Sequence, residues 1–195
     1  LAGAMLSHLH GPLAPRNDGA PQGRYAEFDQ HAFIAERRGM GPKGWLYLPA
    51  ACESATPCRL HVVLHGCGQN VDLIGQDYVR RTGYARWADG NRIVLLFPQT
   101  GDGAVNACWD WWGYGSADYA RKSAPQMGAI VAMVERLAGA DAPCVRAFNG
   151  THAWAGRVLW NGFTGALHAR GSGQRLGFWW TRSSLRESPR GHHRI

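Results

Sequence analysis

The residues best placed to do chemistry lie in "LHVVLHGCGQN", Leu60 to Asn70. A short apolar run stops there at His65-Gly66-Cys67-Gly68. Glycine on both sides of Cys67 lets the backbone turn and expose an N–H. Such a donor, at a strand end beside a helix start, can hold a developing oxyanion. In acyl transfer one donor contributes roughly 2.7–4 kcal/mol of transition-state stabilisation. The competing reading is an ordinary strand-to-helix turn. His65 is a candidate substrate contact and equally a candidate loop holder. The Cys67 thiol reads as a disulfide partner, because a nucleophilic thiol needs a nearby His and a lowered pKa.

A second constellation is "NACWDWWGYGS", 106–116, an aromatic loop in which Asp110 sits between two Trp. Asp110 reads as fixing the loop rather than as doing chemistry. Neither Ser116 nor Ser172 has Gly two residues before and two after, so no G-x-S-x-G nucleophile elbow occurs. The five cysteines, Cys52, Cys58, Cys67, Cys108 and Cys144, include no C-x-x-C pair, so no zinc site is expected. Cys52 and Cys58 bracket the turn-like "ESATP" and are spaced to close a small disulfide. Four paired cysteines would leave one over and favour an oxidising setting; five reduced ones would be small hydrophobes. His192-His193 is a tail pair open to adventitious metal, and Asn149-Gly150-Thr151 matches a glycosylation sequon.

The elements that must position these groups are readable in part. Ala2, Met5, Leu6 and Leu9 follow helical spacing, and Gly11-Pro12 ends that helix. Residues 11–24, rich in Pro and Gly, read as a linker. "GWLYLP" (44–49), "RLHVVLHG" (59–66) and "RIVLLFPQ" (92–99) read as strands, the last buried on both faces. "DLIGQDYVRRTGYARWADGN" (72–91) puts Ile74, Tyr78, Ala85 and Ala88 on one face and reads as one helix despite Gly75 and Gly83. A further helix starts at Ser123-Ala124-Pro125, carries Met127, Ile130, Val131, Val134 and Leu137, and stops at Gly139. The order implies a largely parallel α/β sheet. Ligands of such sheets bind beyond the carboxyl ends of the strands, where Cys67 lies. Residues 141–195, Gly- and Trp-rich without a clear period, read as a small β-type or irregular appendage.

Composition narrows the function classes. With 195 residues, 45% of them hydrophobic, the chain can build one core. The net charge of +7 is local. Eight Arg face only Asp141 and Glu187 after residue 140, leaving 13 basic and 12 acidic side chains before it. Those Arg stand singly among Gly, Ser and Trp, as on a solvated face, so no nucleic-acid partner is expected. No run is long enough for a membrane span. Nor is there a basic start followed by an apolar run, and Leu1 in place of Met reads as a chain processed or cut from something longer.

Five motifs in order, "GWLYLPAAC", "CRLHVVLHGCGQ", "TGYARWADGNRIVLLFPQ", "ACWDWWGY" and "QMGAIVAMVERL", resemble the C-terminal half of secreted poly(3-hydroxybutyrate) depolymerases and related esterases. The resemblance covers about residues 1–140. It implies a partial, circularly permuted α/β-hydrolase sheet, with the Ser, Asp and His of the triad in a preceding half. By that resemblance 1–24 is the last helix of the missing half and its linker, 25–140 the half with the oxyanion loop, and 141–195 the appendage. It implies the Cys67 amide as oxyanion donor, and Trp109 and less directly Trp111 as substrate-groove residues. It also implies a Cys67–Cys108 disulfide, with Cys144 left over. His152 would then not be the triad base. The expected substrate is a polyester or other ester, with no cofactor. A carbohydrate esterase of feruloyl or acetylxylan type shares the architecture. A non-catalytic module that adsorbs to polymer through the Trp-rich tail is the third reading.

Overall fold

The computed structural model describes residues 1–36, 38–53, 58–138, 159–161 and 166–169. Cys144, Asn149, His152, Ser172, His192 and His193 lie outside these residues. Helix α1, Ala2–His10, buries Gly3, Leu6 and His10, and ends where Gly11 turns to φ 81 and donates its N–H to Ser7 O. Gly3 is required for close packing: a Cβ there would stand 2.2 Å from the Trp87 indole. Strands β1 (Arg24–Asp29), β2 (Lys43–Leu48) and β3 (Arg59–Val62) follow. Helices α2 (Val71–Ile74), α3 (Asp77–Arg81) and α4 (Tyr84–Asn91) lead into β4 (Ile93–Phe97), and α5 spans Pro125–Ala138. Short strands β5 (Leu159–Asn161) and β6 (Ala166–Ala169) complete a sheet of order β1-β2-β4-β3-β6-β5.

Burial on both faces explains the continuous apolar run of β4. Val94 and Leu96 pack with Leu46, Leu48, Leu60 and Val62 under α5, which contributes Ala129, Ile130, Met133, Val134 and Leu137. Ile93, Leu95 and Phe97 face the other way, with Trp45, Tyr47, Leu6, Ala85 and Ala88 under α1 and α4. Alternation along a strand puts successive side chains into opposite cores.

Four expectations are revised. The sheet is mixed rather than largely parallel: among the described pairs only β3 and β4 run parallel. The 72–91 segment is three helices, not one. Gly75 (φ 58) and Gly83 (φ 80) adopt left-handed backbone that ends α2 and precedes α4. Ile74 is therefore exposed. The linker contains the start of an unforeseen edge strand, β1, whose half-exposed residues carry little apolar signal. Finally, β6 pairs with β3 through Leu60↔Ala169 and His61↔His168, so this part of the tail joins the sheet.

The rest of the linker is a strap rather than a free tether. Asn17 donates its N–H to Arg86 O at 2.8 Å and its side-chain NH2 to Asp89 Oδ2 at 3.1 Å. The Gln22 N–H reaches the same oxygen at 2.9 Å. The Tyr47 hydroxyl donates to Asp89 Oδ1. Asn91 binds both the N–H and the carbonyl of Ala14. Burial first, and the bond to Asp89 second, push the Tyr47 phenol up. Replacing Asp89 by Ala strands two donors and a phenol. Urea denaturation should show Asp89→Ala less stable by about 2 kcal/mol, with Asp89→Asn less affected. An unchanged midpoint for Asp89→Ala would mean the strap contributes nothing.

Candidate oxyanion site

The site begins where β3 ends. Val63 continues the ladder by donating its N–H to Leu96 O, and Tyr78 Oη donates to Leu64 O at 2.7 Å. His65 then enters the core, 3% exposed. The Thr100 N–H donates to His65 Nε2 at 3.2 Å, so Nε2 is an acceptor and Nδ1 carries the proton. That Nδ1–H donates to Gly66 O at 2.8 Å. Burial lowers the His65 pKa, and the bond to Gly66 opposes the shift. The ring is thus neutral, enclosed and engaged through both nitrogens, and it holds the loop.

Three consecutive amides follow, and they differ in kind. Gly66 donates its N–H to Gln69 Oε1 at 2.9 Å, and Gly68 donates to Asn106 O at 2.9 Å. Among the described residues no group accepts from the Cys67 N–H between them, and Cys67 is exposed. Gly68 has φ 69, the left-handed backbone that closes the turn. Cys67 is disulfide-bonded to Cys108, 41 residues on, and Cys52 to Cys58. Asn70 then caps α2, accepting the Leu73 N–H at 3.2 Å.

The disulfide brings the aromatic loop against this turn. Trp109 is half-buried; its indole N–H donates to His65 O at 3.0 Å, and its ring centroid lies 5.1 Å from that of His65. Trp111 is 67% and Trp112 41% exposed, edge to face at 4.9 Å. Asp110 fixes the loop by accepting four backbone N–H groups. Oδ1 takes those of Gly113 and Tyr114 at 2.7 and 2.9 Å; Oδ2 takes those of Gly115 and Ser116 at 3.0 and 2.9 Å. Sequence reading missed Gln126, Gln30, Gln99 and Thr100, which brace both loops. Their one local signal is a polar residue on an apolar helix face or just past a strand. No group of three metal-ligating side chains occurs among the described residues, and no described helix is long and apolar enough to cross a membrane.

A mixed sheet with helices on both faces, carrying a backbone donor with no partner among the described residues at the carboxyl end of a parallel strand, has an α/β-hydrolase-type architecture. The comparisons agree. The chain is 57% identical over 140 residues to a poly(3-hydroxybutyrate) depolymerase of Delftia acidovorans, covering 70% of this chain and 28% of that protein. It is 38% identical over 150 residues to a polyhydroxybutyrate depolymerase of Talaromyces funiculosus, covering 70% and 44%. The crystal structure of the PHB depolymerase from Penicillium funiculosum matches with a TM-score of 0.64 at 36% identity, over 69% of this chain and 46% of that one. A PHB depolymerase complexed with an R3HB trimer matches equally well. No family model matches. The chain is therefore a relative of polyhydroxybutyrate depolymerases that spans under half the length of these proteins.

Two measurements probe the site. The His65 pKa lies below the ordinary 6.5, so its neutral form stabilises the loop above pH 6.5, and that contribution is lost as pH falls through the lowered value. NMR should show the His65 ring titrating below 6.5, with the Gly66 and Thr100 amides shifting at the same pH; a midpoint at or above 6.5 refutes the enclosed ring. Separately, Cys108→Ser should destabilise by about 4 kcal/mol from loop closure, against about 2 for Cys58→Ser. Equal losses in chemical denaturation would contradict this ordering.

Proposed function

We propose that this chain is the oxyanion-loop part of a polyhydroxyalkanoate depolymerase-type serine esterase, inactive by itself. The free Cys67 N–H, held between two bound amides at a strand's carboxyl end, is the observation that carries the reading. In this reading it donates to the ester carbonyl oxygen as negative charge develops there. A serine in the preceding half, absent from these 195 residues in G-x-S-x-G form, attacks the carbonyl carbon. Its proton passes by way of the base to the leaving oxygen, so an alcohol departs and an acyl-enzyme forms, which water then hydrolyses to the acid. Trp109 and Trp111 form part of the groove for the apolar hydroxyalkanoate chain, Trp111 through its exposed face and Trp109 through the part left open beside His65.

The proposed organisation is 1–24 as terminal helix and strap of the preceding half, 25–140 as the permuted hydrolase half, and 141–195 as an appendage whose Ala166–Ala169 strand adds to that half's sheet. The two disulfides support an extracellular setting. No cofactor enters this chemistry. The purified 195-residue chain should neither hydrolyse a p-nitrophenyl ester nor be labelled by a serine-directed phosphonate. A longer parent carrying the serine half should do both, and should release hydroxybutyrate from R3HB oligomers. Turnover by the short chain, or a parent active on feruloyl or acetylxylan esters and silent on R3HB, would overturn the proposal.

A further inference from the structure

We infer that Gln126, in the first turn of α5, is the positioning residue for the Cys67 loop; this rests on reading the Cys67 N–H as the oxyanion donor. The face that α5 buries is otherwise apolar: Ala129, Ile130, Met133, Val134 and Leu137. Gln126 is the exception, 8% exposed. A buried amide is retained in such a row only where its hydrogen bonds are made, and here all are. Oε1 accepts the Asp110 N–H at 2.7 Å. The NH2 group faces Tyr114 Oη at 3.1 Å and the successive carbonyls of Arg38 and Gly39 at 3.2 and 3.3 Å.

From these contacts two routes run to the same turn. In the first, Tyr114 Oη accepts from Gln126 and donates to Cys108 O at 2.7 Å, and Cys108 is bonded to Cys67. In the second, Gly39 O also accepts the Gly101 N–H at 3.1 Å. Neighbouring Thr100 donates to His65 Nε2, and His65 Nδ1–H holds Gly66 O. The routes end on Cys67 itself and on the residue before it. One side chain on the long helix thereby sets the helix, the aromatic loop and the proposed donor in one frame.

The test is hydrogen exchange by NMR on the 195-residue chain. Gln126→Glu keeps an acceptor for the Asp110 N–H and removes the donors that serve both routes. Tyr114→Phe cuts only the route through Cys108. The reporters are the Gly68 N–H, bonded to Asn106 O, and the Trp109 indole N–H, bonded to His65 O. Both variants should speed exchange at these reporters about fivefold or more, the equivalent of one hydrogen bond, with Gln126→Glu the stronger. The Cys67 amide resonance should move in both, while exchange in β4 stays unchanged. If Gln126→Glu does not fold, Tyr114→Phe decides alone. Reporters unchanged, or speeding only in step with β4, would overturn the inference. No substrate enters the measurement, so its failure leaves the ester reading standing; failed ester turnover, read separately on the longer parent, would remove the donor role and leave only the bracing of the loop.

Discussion

Where strands β2 and β4 run out of sheet, their backbone is still buried and its polar groups must be paired. Gln30, fully enclosed, meets that demand: its NH2 donates to Gly41 O at 2.7 Å and Gln99 O at 3.0 Å, and its Oε1 accepts the Gln99 N–H at 2.9 Å. An unpaired buried amide costs about 1–3 kcal/mol, so this side chain replaces a stretch of ladder the strands no longer supply. The pairing goes on beyond it. Gly41 donates to Gln99 O, and Met40 bridges Thr100. The backbones come so close that a Cβ on Gly101 would lie 2.5 Å from the Gly41 Cα. Thr100 is thereby fixed, and Thr100 is what orients His65. The proposed donor is the far end of a chain of satisfied polar groups that begins with a glutamine.

That chain explains why so polar a cluster lies inside a small domain. Two apolar cores, one under α5 and one under α1 and α4, share the sheet as a wall. Side-chain burial holds the wall but says nothing about how its upper edge is cut. Hydrophobic contacts are non-directional, whereas hydrogen bonds fix angles. The upper edge carries Gln30, Gln99, Thr100, His65, Asn70 and Gln126, all buried. The polar residues are where a backbone N–H must be aimed, and the apolar ones are where only bulk is needed.

What could be read from sequence follows the same division. The α5 face and the apolar run of β4 were legible because burial on a helix face or on both sides of a strand leaves a local period. Cys67 and Trp109 were legible as site candidates through resemblance. The sense of the sheet was not, because connection geometry, not strand composition, decides whether neighbours run parallel. Gly75 and Gly83 looked tolerable within one helix; only their left-handed backbone shows that one ends α2 and the other precedes α4. His65 was open to two readings, and the bond that makes it a loop holder comes from Thr100, 35 residues away. Gln30 and Gln126 carried only a weak local signal, a polar residue beside apolar ones, because some of their partners lie 69 and 87 residues off. The neighbouring sequence does not say which distant backbone such a side chain serves.

The opening motif can now be understood in terms of which amide is left over. In Gly66-Cys67-Gly68 the two glycine N–H groups are bound within the protein, and among the described residues nothing accepts from the cysteine N–H. An exposed donor in water is ordinary; one flanked on both sides by hydrogen-bonded amides is constrained by the fold. A donor that must reorganise at the moment of reaction loses part of its effect to that reorganisation, and a fixed one does not. The disulfide matters here for position as much as for stability, since it attaches the turn to the loop that Asp110 and Gln126 hold. The Cys67 side chain is used as an anchor, which leaves the amide of this exposed residue as the group on which the proposed role draws.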